Sequence, residues 1–330
     1  MPHRTIGPSG PRAARGVPAL TALWLLCGGP AAAQEAPPPS SKRLTSVVDG
    51  YPHPSPDGRR VAFQSNRSGR WEVYVMNADG SAVAQLTDAP GDNVTPKWSP
   101  DGTRIVFAAS PGGNSDVFVM NADGTGRRQL TDHPGDDSHP HWSPDGARII
   151  FNSARATPDL AAEWSRQWHE VFTVRPDGTD LRQHTRCRTV CTYPSLSTDG
   201  SRIAYRKVVD APGFQWSLDT TVRNSEVFVA AADGTGEVNL SRSAAYDGWP
   251  AWSPDGSRIA FTSNRLGPAN VGQVFVVGAD GAGLRQVTHG PWSHTQPAWS
   301  ADGTRLYVYR LQEDAEGEFG HVVVVDLAPT

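Results

Sequence analysis

Two sets of residues could do chemistry, and both recur at matched positions along the chain. The first is Tyr51, Thr95, His139, Tyr193, Trp249 and Gln296, each standing just before a proline. The second lies two residues earlier: Asp49, Asn93, Asp137, Cys191, Asp247 and His294. His53 and His141 align one step further on. On an extended strand alternate residues share a face, so each aligned set is expected to form a ring around one opening. Carboxylates and imidazoles around a mouth suit a cation or a basic peptide. His139, His141, His294 and Gln296 are the only set resembling metal ligands, and they are spread over separate segments. Dedicated sites cluster their donors, so a hydrated polar channel is the simpler reading of that mouth. No nucleophile–base pairing is visible.

Positioning such rings demands a repeated scaffold, and the sequence supplies one. A cassette with Asp-Gly at its end occurs six times: Pro54 to Gly58, Trp98 to Gly102, Trp142 to Gly146, Leu196 to Gly200, Trp252 to Gly256 and Trp299 to Gly303. Asp and Gly are turn formers, one through its side chain and the other through positive φ. The six Asp residues are therefore turn formers rather than metal ligands. An Arg stands three residues after each Asp (Arg60, Arg104, Arg148, Arg202, Arg258 and Arg305), read as a structural hydrogen-bond donor to neighbouring turns. The cassette Trp (Trp98, Trp142, Trp252, Trp299) is read as packing between repeats, since it carries a large apolar area.

A second turn alternates with the first, at Asp79, Asp123, Asp177, Asp233 and Asp280, and is followed by a short piece ending in Leu-Thr or similar. Each repeat thus holds four short strands, A to D. Four strands per repeat of roughly 40–50 residues mean a β-propeller. The C–D turn lies 22 residues before the next A–B turn in every case, whereas the A–B to C–D spacing runs 22, 22, 32, 34 and 25. All length variation therefore sits between strands B and C. One face of the disc carries plain turns and the other, formed by B–C and D–A loops, carries the insertions. Loops on a rigid scaffold are where function concentrates.

The ends complete the count. Lys42 to Thr45 reads as a D strand with no blade before it, and His321 to Asp326 as a C strand with no D strand after it. Residues 41–46 are expected to complete blade six and close the ring, which removes two exposed edges. The fold class is all-β, a six-bladed propeller over residues 41–330. Residues 1–33 read as a signal peptide: Arg4, Arg12 and Arg15, an apolar core from Val17 to Leu26, and Ala31-Ala32-Ala33 before Gln34. A lipoprotein reading at Cys27 is opposed by the bulk of Leu26 before it. Residues 34–40, with three consecutive prolines, form a linker. The apolar core is too short for a span of ~20 residues, and no other stretch could cross a membrane.

Formal charge is −4, and after residue 33 there remain 27 basic against 34 acidic residues. Nucleic acid as a partner is excluded on that ground, because phosphate binding needs a basic face. An exported chain meets an oxidising compartment, so Cys187 and Cys191, the two cysteines left after cleavage, are expected to form a disulfide; a lone pair is too few ligands for zinc.

Trp-Ser-Pro-Asp-Gly-x-x-Ile-x-Phe, then Val-Tyr-Val-Met-Asn-x-Asp-Gly and Leu-Thr, resembles the repeat of the TolB-type propellers (WD40-like, or PD40, repeats) over residues 41–330. Ahead of the propeller the chain has only Gln34 to Ser40, where TolB itself carries an α/β domain. The resemblance implies a monomeric periplasmic or secreted binding protein without cofactor, engaging a protein, peptide or glycan at the cell envelope. Prolyl-oligopeptidase-like enzymes share the repeats, but no Gly-x-Ser-x-Gly elbow follows them here, which excludes a peptidase. The oligogalacturonate lyases are also similar in their repeats. That resemblance implies a metal-dependent enzyme with His139, His141, His294 and Gln296 as its ligands, although that family has seven blades.

The expected recognition surface lies on the insertion face. Blade three inserts Pro158 to Trp168, with Trp164, Arg166 and Trp168, expected to make a short helix starting at its Pro. Blade four inserts a stretch carrying Phe214, Gln215 and Trp216. Trp164, Trp168, Phe214 and Trp216, beside His139, Tyr193, Trp249, Asp247 and Asp137, are the residue types that anchor partners. Packing of the two loops on each other is the equal alternative.

Overall fold

The computed structural model describes residues 41–43, 47–162, 166–210, 224–268, 270–314 and 317–327. Residues 1–37 and 38–330 separate into two units, and the described residues all fall in the second. They form six antiparallel sheets of four strands. Strand A of the blades is Asp49–Pro54, Asn93–Trp98, Asp137–Trp142, Cys191–Leu196, Asp247–Trp252 and Ser293–Trp299. Strands B and C follow by hairpins, and the short outer strand D is, for example, Ala84–Gln85 or Arg128–Gln129. In blade six the D strand is Ser41–Arg43, paired with the C strand Gly317–Asp326 as Ser41↔Val325, Lys42↔Val324 and Arg43↔Val323. The last blade is thus closed by the first strand.

Each A–B turn is tied the same way. In blade one the Ser55 hydroxyl donates to Asp57 Oδ1 at 2.5 Å, Arg59 N–H donates to the same oxygen at 3.1 Å, and Arg60 N–H donates to Ser55 Oγ at 2.9 Å. Gly58 takes φ 69°. The Leu-Thr ending of strand D also has a duty. Thr87 accepts from Val73 N–H at 2.8 Å and donates to Glu72 Oε2 at 2.5 Å, so it fastens strand D to strand C; Thr185 repeats this with Val171 and Glu170.

The core lies between blades rather than within them. Neighbouring sheets pack face to face, as in the cluster of Val73, Trp98, Ile105, Phe107 and Met120 between blades one and two. The repeated Arg makes the expected hydrogen bond to a neighbouring turn at Arg202, which donates to the Ala279 carbonyl at 3.3 Å, and it has a second duty. Arg60, Arg104, Arg202 and Arg258 stack over Trp98, Trp142, Trp252 and Trp299 of the next blade, 4.5–4.8 Å from the ring centroids. A cation over an indole face adds attraction to apolar burial. Blade four has Leu196 in the Trp position, and Arg148 beside it turns to Asp180 instead, at 2.8 Å.

The B–C side differs in detail from the sequence reading. The insertion of blade four is in part a longer hairpin, with strands Arg202–Asp210 and Asn224–Ala231. Blade six carries one with still longer strands, Arg305–Asp314 with Gly317–Asp326, which no spacing announced because that blade lacks a C–D turn of its own. Around the expected helix, Asp159 caps a turn by accepting from Ala161 N–H at 3.0 Å; residues 163–165 lie outside the described residues. Cys187 and Cys191 are joined as a disulfide at the entrance to blade four. Thiol titration of the denatured, unreduced protein is expected to find neither Cys187 nor Cys191 free, and reaction of both would refute the bridge.

Candidate functional site

Strand A does not run as a plain strand in any blade. The A–B register shifts by a bulge between Gly50 and His53, Val94 and Lys97, Ser138 and His141, Thr192 and Ser195, Gly248 and Ala251, and Thr295 and Ala298. The bulged residue has left-handed φ each time: Tyr51 49°, Thr95 55°, His139 53°, Tyr193 55°, Trp249 52° and Gln296 56°. Non-glycine residues at such φ carry strain and collect at functional sites, and a bulge re-aims a side chain. Here the six side chains are re-aimed to line the central cavity.

They close one end of it. The Trp249 Nε1–H donates to Tyr51 Oη at 3.2 Å, joining blade five to blade one. His139 packs edge-on to Tyr193 at 4.1 Å, Tyr193 lies 5.4 Å from Trp249, and Tyr51 lies 6.1 Å from His139. Gln296 Oε1 accepts from Tyr51 N–H at 2.7 Å and Gln64 Oε1 from Thr95 N–H at 2.9 Å. Behind this plug stands Arg206, fully buried, its guanidinium donating to Tyr246 Oη at 3.0 Å and lying 5.3 Å from the Tyr193 ring. Arg206 was missed in the sequence. The available signal was its place in a strand-B series otherwise filled by Gln64, Ala108, Asn152, Thr262 and Tyr309.

The cavity, about 460 Å³, runs from the plug to the A–B turns, where Pro56, Pro100, Pro144 and Pro254 line it. Its middle layer is lopsided. His53, Lys97 and His141 stand on blades one to three, and Ser195, Ala251 and Ala298 on blades four to six. His53 and His141 touch edge to face at 5.4 Å. Burial, with Lys97 nearby, holds His53 well below its ordinary pKa and His141 at about 4, so both are neutral. Burial lowers His139 to about 3 and Lys97 to about 8.

The second expected ring does not form. Asp49, Asp137 and Asp247 are fully buried, and none of them lines the cavity. They turn outward to an Arg of the B–C loop, Asp49 to Arg67 at 3.0 Å, Asp137 to Arg155 at 2.6 Å and Asp247 to Arg265 at 2.9 Å. Those arginines also stack on the blade aromatics, Arg155 lying 5.2 Å from Phe172. Burial raises Asp137, and raises Asp247 to about 6, against the pull of the paired Arg. Asp137 and Asp247 are therefore fasteners in this fold, not part of a surface shared with His139, Tyr193 and Trp249.

The metal quartet is not assembled. His139, His141 and Gln296 line the cavity, but His294 is buried outside it, 3.2 Å from Gln273 Oε1. Among the described residues no three His, Cys, Asp or Glu are placed to hold a metal ion. Of the aromatic insertion residues, Trp168 is half-buried, and its backbone is bound in both directions to the Thr157 hydroxyl, at 2.9 and 3.0 Å. Trp164, Phe214 and Trp216 lie outside the described residues.

A ring of six four-stranded blades around a lined cavity defines a six-bladed β-propeller. The family model described as the TolB beta propeller domain (PD40) matches residues 52–160 and 214–328, more than half of the sequence, and the chain belongs to that family. The "Protein TolB homolog" of Chlorobium luteolum is 31% identical over 132 residues, covering 31% of this chain and 30% of that protein, so the match spans less than a third of the curated relative. The crystal structure of TolB from Acinetobacter baumannii superposes with TM-score 0.63 at 21% identity, over 78% of this chain and 59% of that one. An oligogalacturonate lyase in complex with manganese superposes with TM-score 0.58 at 13% identity, over 88% and 93%. Both structural likenesses concern the fold alone.

Proposed function

We propose that this protein is an exported binding scaffold of the cell envelope, which takes an extended segment of a partner protein into its central cavity from the A–B side. The observation that carries the reading is the cavity itself: about 460 Å³, walled by tryptophan and proline, with one end plugged by interlocked rings. Concave, mostly apolar sites with a few placed polar groups are the usual binding sites. TolB-family membership supports a role with protein partners. Export rests on the signal-like start, and no described helix is long and apolar enough to cross a membrane. Mass spectrometry of the exported form should find Gln34 at its N-terminus; a lipid-modified Cys27 would place the protein on a membrane instead.

The insertion face is the second reading, favoured by the fixed backbone of Trp168 beside its insertion. A protein, peptide or glycan would be held there by Trp168 with Trp164, Phe214 and Trp216. One experiment separates the two. Ala251→Trp fills the cavity from its wall, and a second variant trims both insertions to the length of blade two. Cross-linking to partner protein in envelope extract is expected to vanish in the first and survive in the second. The reverse would move the site to the insertion face, and unchanged cross-linking in both variants would remove it from both places.

A further inference from the structure

The cavity wall is unusual in its charge. The chain as a whole has more acidic than basic residues, yet among the residues lining the cavity there is no Asp, Glu or Arg, and the single formal charge is Lys97. Lys97 stands on blade two between His53 of blade one and His141 of blade three, the pair that meets at 5.4 Å. The tautomers of that pair follow from their partners. The Trp98 N–H donates to His53 Nδ1 at 3.1 Å, so the His53 proton sits on Nε2 and is free to donate. His141 Nδ1–H donates to the Trp142 carbonyl at 2.9 Å. No ion pair of Lys97 occurs among the described residues, although the residue is half-buried and its pKa is depressed by loss of water. A lysine kept out of bulk water without a carboxylate costs stability, and a cost carried at a cavity wall points to a ligand that repays it.

The shape decides which anion. The Tyr51–Trp249 bond and the His139–Tyr193 contact block the far end, so a chain can enter only end-first or as a bent loop. A peptide N-terminus is a cation and is repelled by Lys97. Its C-terminus is an anion, and two donors, the Lys97 ammonium and His53 Nε2–H, stand on the same side of the cavity. We propose that the cavity takes the free C-terminal carboxylate of a peptide, paired with Lys97 and flanked by the His53–His141 couple, with the preceding residues running out between the prolines of the A–B turns. The wall opposite, Ser195, Ala251 and Ala298, is small-sided and leaves room for the last side chain. This inference rests on the cavity being the binding site.

The test uses three pools of N-acetylated or cyclic peptides: random tetrapeptides with a free C-terminal acid, the same sequences as C-terminal amides, and head-to-tail cyclic peptides bearing one Glu. Affinity selection on the whole exported chain is read by mass spectrometry. The acid pool is expected to be retained about tenfold or more over the amide pool, the scale of a lost charge-assisted hydrogen bond. Lys97→Met is expected to erase that preference and Lys97→Arg to keep it. Lys97→Met should unfold at the same temperature or higher, because it removes a poorly hydrated cation, so loss of the preference cannot be laid to misfolding. Equal retention of acid and amide pools by the wild type would overturn the carboxylate inference and leave the cavity as the site. Retention of the cyclic Glu pool as strong as the acid pool would overturn the chain-end assignment. Retention of no pool would overturn both this inference and the reading beneath it.

Discussion

Acidification from pH 7 to between about 5 and 4 is expected to unfold this protein cooperatively. Six histidines are lowered by burial: His53 well below its ordinary value, His184 below it, His139 at about 3, and His141, His169 and His294 at about 4. In the unfolded chain each returns to about 6.5. The folded-state values are depressed, so the neutral folded form is fully favoured above pH 6.5. That advantage is lost as pH falls, because only the unfolded chain takes up the protons. Each group costs about 1.4 kcal/mol per pH unit below 6.5, against a typical total of about 5–15 kcal/mol. Asp116, Asp137 and Asp247, whose values are raised, act the other way over part of the same window, but three groups oppose six. Circular dichroism followed from pH 7.5 to 3.5 should show the transition. His169→Gln, behind the cavity wall, should move its midpoint downward. A protein that keeps its native signal at pH 3.5 would refute the buried neutral imidazoles.

Deletion of residues 34–47 is expected to be the most damaging truncation. It removes strand Ser41–Arg43 and leaves strand C of blade six with its outer edge bare. Val322, Val323, Val324 and Val325 there are buried, and a run of four valines on an open edge is a template for pairing with other chains. Adjacent interfaces would also loosen, because Val322 and Val324 pack against Val61 and Phe63 of blade one. The expected loss is several kcal/mol, a large share of the stability of a domain, with light scattering on heating. Unfolding at the wild-type temperature without scattering would contradict the closure.

The blades, their turns and the closing strand were legible because each rests on local chemistry. Asp-Gly needs its turn wherever it stands, and a spare D strand is visible as a Leu-Thr ending without a blade. The ring of Tyr51, His139, Tyr193 and Trp249 was legible as an alignment. Its mate was not, because the pleat rule places residues 49 and 51 on one face. The bulge breaks that rule: with Tyr51 at φ 49° the chain kinks between the two, so Tyr51 faces the axis and Asp49 faces Arg67. Nothing in a short motif announces a bulge that depends on the partner strand. The cavity was likewise hidden. Insertions advertise one side of the disc, whereas the cavity runs to the other because aromatic rings from different blades meet in its throat. Lys97 belongs to no motif in the sequence, and its setting among lining residues without Asp or Glu is gathered from six separate blades.

The pairing of Ser41 with Val325 also sets an order of events. Blades one to five each join strands close in sequence and can form as the chain emerges. Blade six waits until the segment of Val323 to Val325 has emerged, and then needs contact between segments more than 280 positions apart. Loop-closure entropy grows only slowly with length, but distant pairing delays folding. Until that contact is made, the unclosed propeller exposes strand edges at both ends of its arc. This is the interval in which a holdase or a neighbouring copy would find it, and the edge of blade six is where each would attach.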